Sequence, residues 1–208
     1  MSLILLFFSA LFIRLINLNQ SLWLDESIVA RVTKNIPFHL IPTQFSPGDV
    51  HPPLYYMVVS LWTSLFGYSE IALRMPSVIY SLIAGWYVYK IGTTLKNKLL
   101  GMWAAAFFLF NPLVTYYSQE ARMHMMATAL LSIVLYYFIL LNNEFKINNL
   151  KFKNIFLFNL FSGLSMLVFY GSGFFIAGMI VVGFFTFNKK GQFLYLFIGL
   201  LFSLLILQ

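Results

Sequence analysis

Apolar residues fall in long blocks along this chain, separated by short polar or basic stretches. The blocks cover about 2–18, 75–95, 99–116, 123–141, 155–170 and 174–187, and another run begins at Phe193. A helix crossing a bilayer needs about 20 mostly apolar residues, so the pattern predicts an all-α polytopic membrane protein with about seven transmembrane helices. A transmembrane barrel needs alternating segments of about 10 residues, and no such alternation occurs. No internal repeat or low-complexity linker divides the chain, so residues 1–208 read as a single membrane domain.

One connection breaks the rhythm. Between the first and second blocks, residues 19–74 form a long loop with structure of its own. Ile28, Val29 and Val32 carry helical periodicity across 26–35, and Pro37 closes that element. After Pro52-Pro53 the run 54–66 is apolar and aromatic but too short to span, which predicts a helix lying in the membrane interface. Residues 2–16 have the length of a signal-peptide core. They lack a basic leader and a small-residue cleavage site, so a retained helix is expected. The final apolar run stops abruptly at Gln208, which suggests the N-terminal part of a longer protein or a truncated product.

Composition reinforces the membrane reading: 61% of residues are hydrophobic and 9% charged. Soluble domains carry about 25% charged residues, so a soluble globular protein is excluded. The net charge of +7 comes largely from lysines in short loops, which fits topology signals and anionic lipid head groups rather than nucleic acid. With no cysteine, disulfides and thiolate metal sites are ruled out. Loops at 96–98, 142–154 and 189–192 hold lysines and one acid, Glu144. Asp25, Glu26, Asp49, Glu70 and Glu120 lie in the opposite set. The positive-inside rule then puts the N-terminus in the cytoplasm and the long loop on the outer or lumenal face.

Candidate chemistry collects on that outer face. Asp25 and Glu26 follow the first block, and Glu120 lies in the turn 117–122. A carboxylate there can deprotonate an acceptor, or it can simply cap the helix that follows. Arg14, Arg31, Lys34, Arg74 and Arg122 are the cations of this side. Arg74 and Arg122 stand at expected helix starts and suit phosphate binding, the alternatives being snorkelling to lipid or a Glu70–Arg74 pair at i,i+4. His51 is placed to donate to a phosphate. With Asp25 or Glu120 it is also the one conceivable ligand set for a divalent metal, although no metal residues are assigned and no cofactor is certain. Tyr55-Tyr56, Trp62, Tyr116-Tyr117 and Tyr170 suggest an interfacial aromatic belt, with sugar stacking as the alternative. No HExxH, glycine-rich phosphate loop or Ser-His-Asp arrangement supports a protease, NTPase or hydrolase. Too few ionisable residues fall mid-membrane for a transporter.

Four segments in order carry a resemblance: Leu24-Asp25-Glu26, His51-Pro52-Pro53-Leu54-Tyr55-Tyr56, Arg74-Met75-Pro76-Ser77 and Tyr117-Ser118-Gln119-Glu120-Ala121-Arg122-Met123. Together they resemble the N-terminal half of a family 39-type glycosyltransferase of the GT-C fold, a group that includes protein O-mannosyltransferases and aminoarabinose transferases acting on lipid A. The resemblance covers about 10–130 by motif and the later helices by hydropathy. It implies a polyprenyl-phosphate sugar donor and a protein, lipid or glycan acceptor. It also implies Asp25 as general base with Glu26 beside it, Glu120 at the same centre, and Arg74 and Arg122 near the lipid phosphate. His51 and Tyr55 are the further substrate-binding candidates. The competing class is a non-catalytic or degenerate membrane subunit that binds a lipid carrier.

Overall fold

The computed structural model describes residues 2–45, 51–147 and 149–186, and among them helix is the one kind of regular secondary structure. The α-helices in chain order are α1 (Leu3–Leu15), α2 (Leu24–Asn35), α3 (Leu54–Phe66), α4 (Glu70–Leu95), α5 (Lys98–Leu109), α6 (Pro112–Ser118), α7 (His124–Lys146), α8 (Phe152–Val168) and α9 (Ser172–Thr186). A 3₁₀ turn at Phe38–Leu40 and a π turn at Ile41–Phe45 follow α2.

Two of these helices, α4 and α7, are long and apolar enough to cross a membrane. A third span results if α5 and α6, bent by 62° at their junction, count as one. The blocks expected to span at 2–18, 155–170 and 174–187 do form helices, but α1, α8 and α9 have 13, 17 and 15 residues. The run from Phe193, expected as a seventh helix, lies outside the described residues.

α4 begins five residues before the apolar block suggests. Ser69 caps it by accepting the Ala72 N–H at 3.2 Å, and Glu70 sits favourably in its first turn. Pro76 therefore lies inside the helix and cannot donate to the carbonyl of Ala72. The indole N–H of Trp62 on α3 fills that gap, donating to Ala72 O at 2.9 Å. The expected single helix over 99–116 is instead broken at Asn111-Pro112. Proline disfavours helical geometry in the residue before it, and Asn111 Oδ1 accepts the N–H groups of Leu113 and Val114 to start α6 afresh.

Helices α4 and α7 run side by side in the same direction. Near their starts Ser77 donates to Arg122 O at 3.3 Å, and farther along Lys90 Nζ sits 4.0 Å from the Tyr136 ring centre. α5 returns antiparallel to α4 on a close glycine contact. A Cβ placed on Gly92 would lie 2.7 Å from the Cα of Gly101, so neither position has room for a side chain.

This arrangement gathers the end of α1, all of α2, the starts of α3, α4 and α7, and α6 at one end of the bundle. Beneath them lies a core containing Val29, Tyr55, Val59, Leu73, Met126 and Val168. The loops with Lys96, Lys98, Lys146 and Lys151 join the other ends of α4, α5, α7 and α8. There Glu144 accepts from the Lys151 N–H at 3.1 Å and from Asn154 Nδ2 at 2.6 Å.

Candidate active site

Adjacent residues in the first turn of α2 have opposite environments. Glu26 is fully buried, and its carboxylate is shared by three elements. Oε1 accepts from Arg74 Nε at 2.9 Å and from the Ala121 N–H at 2.7 Å. Oε2 accepts from Arg74 Nη2 at 2.6 Å and from the Trp23 N–H at 3.4 Å. Burial alone would raise its pKa. The bonds from Arg74 and Ala121 outweigh that cost and hold Glu26 below the usual carboxylate range. The bidentate geometry matches the planar fork of a guanidinium.

Arg74 is equally committed. Besides its two bonds to Glu26 it donates to the carbonyls of Leu18 (2.9 Å), Gln20 (2.7 Å) and Ser21 (3.3 Å). All five guanidinium N–H groups are thereby in use, and none is left for a phosphate. The Glu70–Arg74 pair suggested by i,i+4 spacing is not formed: Arg74 turns inward to Glu26, 48 residues earlier in sequence.

Asp25 points the other way. Its side chain is 34% exposed, and Oδ2 pairs with Arg122 Nη1 at 2.9 Å. Arg122 precedes α7 rather than starting it, and its buried Nε has no hydrogen-bond partner. Nearby, the hydroxyl of Tyr55 is also buried and finds no partner within bonding geometry, with Ser77 and Arg122 as its polar neighbours. Tyr55 and Tyr56 are thus core residues rather than parts of an exposed belt; Tyr116 and Tyr170 are exposed. His51 and His124 complete this group, since His124 lies within electrostatic reach of Arg122, His51 and Asp25. The His124 ring also meets Tyr117 edge-on at 4.9 Å.

Glu120 shares a cleft with the Glu26–Arg74 pair. It is 7% exposed and borders a cleft of about 440 Å³ whose walls include Gln20, Trp23, Glu26, Arg74 and Tyr116. Burial is the main reason that its carboxyl is pushed above the ordinary range, and the nearby Tyr116 hydroxyl only partly opposes this. Among the described residues no three His, Asp or Glu side chains lie close enough together to hold a metal ion.

Arg14, counted from sequence among the outer-face cations, is instead fully buried. It donates to Ser81 Oγ at 2.8 Å, Ala10 O at 3.0 Å and Leu109 O at 2.9 Å. The last of these carbonyls is exposed by the break before α6, so Arg14 caps the end of α5 and ties α1 to it.

A family model described as dolichyl-phosphate-mannose-protein mannosyltransferase matches residues 50–208. The chain belongs to that family. It is therefore a membrane glycosyltransferase of the mannosyltransferase type, in line with its apolar helices. No curated protein matches it. The matched residues include His51, Tyr55, Arg74, Glu120 and Arg122, whereas Asp25 and Glu26 precede them. Trp23 and His124 do not stand out in the sequence as site residues, and Tyr116 does so only as part of an aromatic belt with sugar stacking as the alternative. Tyr116 stands four residues before Glu120, a spacing that hints at their contact; nothing local points to the other two.

Proposed function

We propose that this mannosyltransferase takes its sugar from a polyprenyl-phosphate carrier, passes it to a protein hydroxyl on the non-cytoplasmic face, and uses Asp25 as general base. The observation that carries this reading is the contrast within Asp25-Glu26. Glu26 is sealed and fully bonded, while Asp25 is partly open beside an arginine with an unused donor. Glu26 and Arg74 then act as positioning residues: they fix the start of α2, and the bond to Ala121 sets the segment that carries Arg122.

In the proposed step the acceptor oxygen attacks the anomeric carbon while its proton passes to Asp25. The bond from that carbon to the phosphate oxygen breaks, and the electron pair leaves with the lipid phosphate. Arg122 stabilises the charge developing there, a role that positioned cations fill well, with the Tyr55 hydroxyl and His51 as further donors. The charge pattern supports the orientation. Lys96, Lys98, Lys146 and Lys151 lie at the end of the bundle away from Asp25, and cytoplasmic loops carry the excess of Lys.

The test is mannosyl transfer from a polyprenyl-phosphate donor by the full chain in lipid nanodiscs. Asp25→Asn should lower the rate by about 10² or more, the usual contribution of a general base, with donor binding retained. Transfer that survives Asp25→Asn but is lost in Glu120→Gln would move the base to Glu120. Donor binding with no transfer by the unaltered chain would favour a non-catalytic carrier-binding subunit.

A further inference from the structure

The cleft at Glu120 has the wrong chemistry for a phosphate and the right chemistry for a sugar ring. It encloses about 440 Å³, and Asp25 and Arg122 do not line it. Its one cation, Arg74, has every donor occupied, and the charge of Glu26 is neutralised by that pairing. Glu120 adds a second acid to the cleft and makes no ion pair within salt-bridge distance, so the walls offer an anion no free donor cation. The remaining polar walls are neutral: Asn17, Gln20, Ser21, Thr115 and Gln119. Gln119 spends both amide N–H groups on the carbonyls of Arg14 (3.2 Å) and Ile16 (2.7 Å), which leaves its side-chain oxygen to accept. Two aromatic residues border the space and keep large open surfaces, Trp23 at 47% and Tyr116 at 57% exposed.

We infer that this cleft is a pyranose-binding subsite, with Trp23 and Tyr116 as apolar platforms and Glu120 and Gln119 as hydrogen-bonding partners of ring hydroxyls. Sugar rings present C–H faces that pack on aromatic side chains and hydroxyls that both donate and accept. The Glu120 carboxyl oxygens and the Gln119 side-chain oxygen are acceptors for those hydroxyls. The ring belongs either to the donor or to a glycan already on the acceptor. The subsite rests on the transferase reading and deepens it: anionic groups go to Arg122, which does not line the cleft, and neutral hydroxyl-rich groups go to the cleft beside Glu120.

Direct binding of methyl α-mannoside to the full chain in nanodiscs tests this without any transfer step. Trp23→Ala and Tyr116→Ala should each weaken binding about tenfold. Both side chains are half open to solvent, so both variants should melt like the unaltered chain. Asp25→Asn should bind the glycoside normally even if transfer is abolished, which separates this inference from the assignment of the base. Competition then identifies the source of the ring. Displacement by polyprenyl-phosphate mannose but not by polyprenyl phosphate assigns the subsite to the donor sugar, and displacement by neither assigns it to an acceptor glycan. Displacement by the sugarless lipid phosphate, or unchanged glycoside affinity in both aromatic variants, would overturn the inference.

Discussion

Replacing Glu26 with glutamine keeps the side chain's shape but removes its charge from beside Arg74. The amide oxygen can still accept the Ala121 N–H, whereas the amide nitrogen must face a guanidinium that already presents N–H groups at 2.6–2.9 Å. Arg74 is left buried with its charge unpaired and only three neutral carbonyls for company. Removing one member of a buried pair costs about 3–5 kcal/mol. For a chain of this size that corresponds to a fall in melting temperature of roughly 6–20 °C, measured by thermal unfolding in nanodiscs. Arg74→Lys should be intermediate, because an ammonium has three donors where five bonds are made. The pH dependence carries a sign of its own. Glu26 is held below its ordinary value of 4.5, so its contribution is present above that value and is lost as pH falls through the lowered folded value. Glu26→Gln should be free of that acid loss. If Glu26→Gln melts within about 1 °C of the parent, the claim that this pair organises the site is wrong.

Three other outcomes follow from the packing and the site. Trp62→Phe strands the Ala72 carbonyl beside Pro76 and should cost about 1–3 kcal/mol, read as a lower melting temperature. Gly92→Val would drive a side chain into the backbone of Gly101 and should separate α5 from α4, lowering both melting temperature and yield of folded protein. Glu120 is shifted upward by burial, so its folded state is favoured at low pH and loses stability as pH rises from about 4.5 through the raised value. Glu120→Gln should flatten that decline in a melting profile against pH.

Local pattern was enough to locate several elements. The run after Pro52-Pro53 forms a helix over Leu54–Phe66, as its apolar stretch indicates, and the α2 periodicity ends at Asn35 before Pro37. The start of α4 at Glu70 is hidden in the sequence because Pro76 reads as a helix boundary. Its tolerance inside the helix depends on Trp62, a partner from another element. The break at Asn111-Pro112 was signalled by a cap residue before proline but hidden by the apolar residues on both sides. The site residues were identifiable as types, not as partners. Arg74 and Arg122 look alike in sequence, each near a helix start after an acid, yet one is saturated by Glu26 and backbone carbonyls and the other pairs with Asp25. That distinction comes from contacts about 50–100 residues apart, such as Arg74 with Glu26 and Ala121 with Glu26, which no local spacing encodes.

The most direct test remains the Asp25→Asn variant in full-length protein, assayed in parallel for polyprenyl-phosphate-mannose binding and for mannosyl transfer. If Asp25 is the base, binding stays within about twofold of the parent and transfer falls by about 10² or more. Transfer at the parental rate by a variant that still binds donor would contradict the assignment and leave Asp25 as no more than the partner of Arg122.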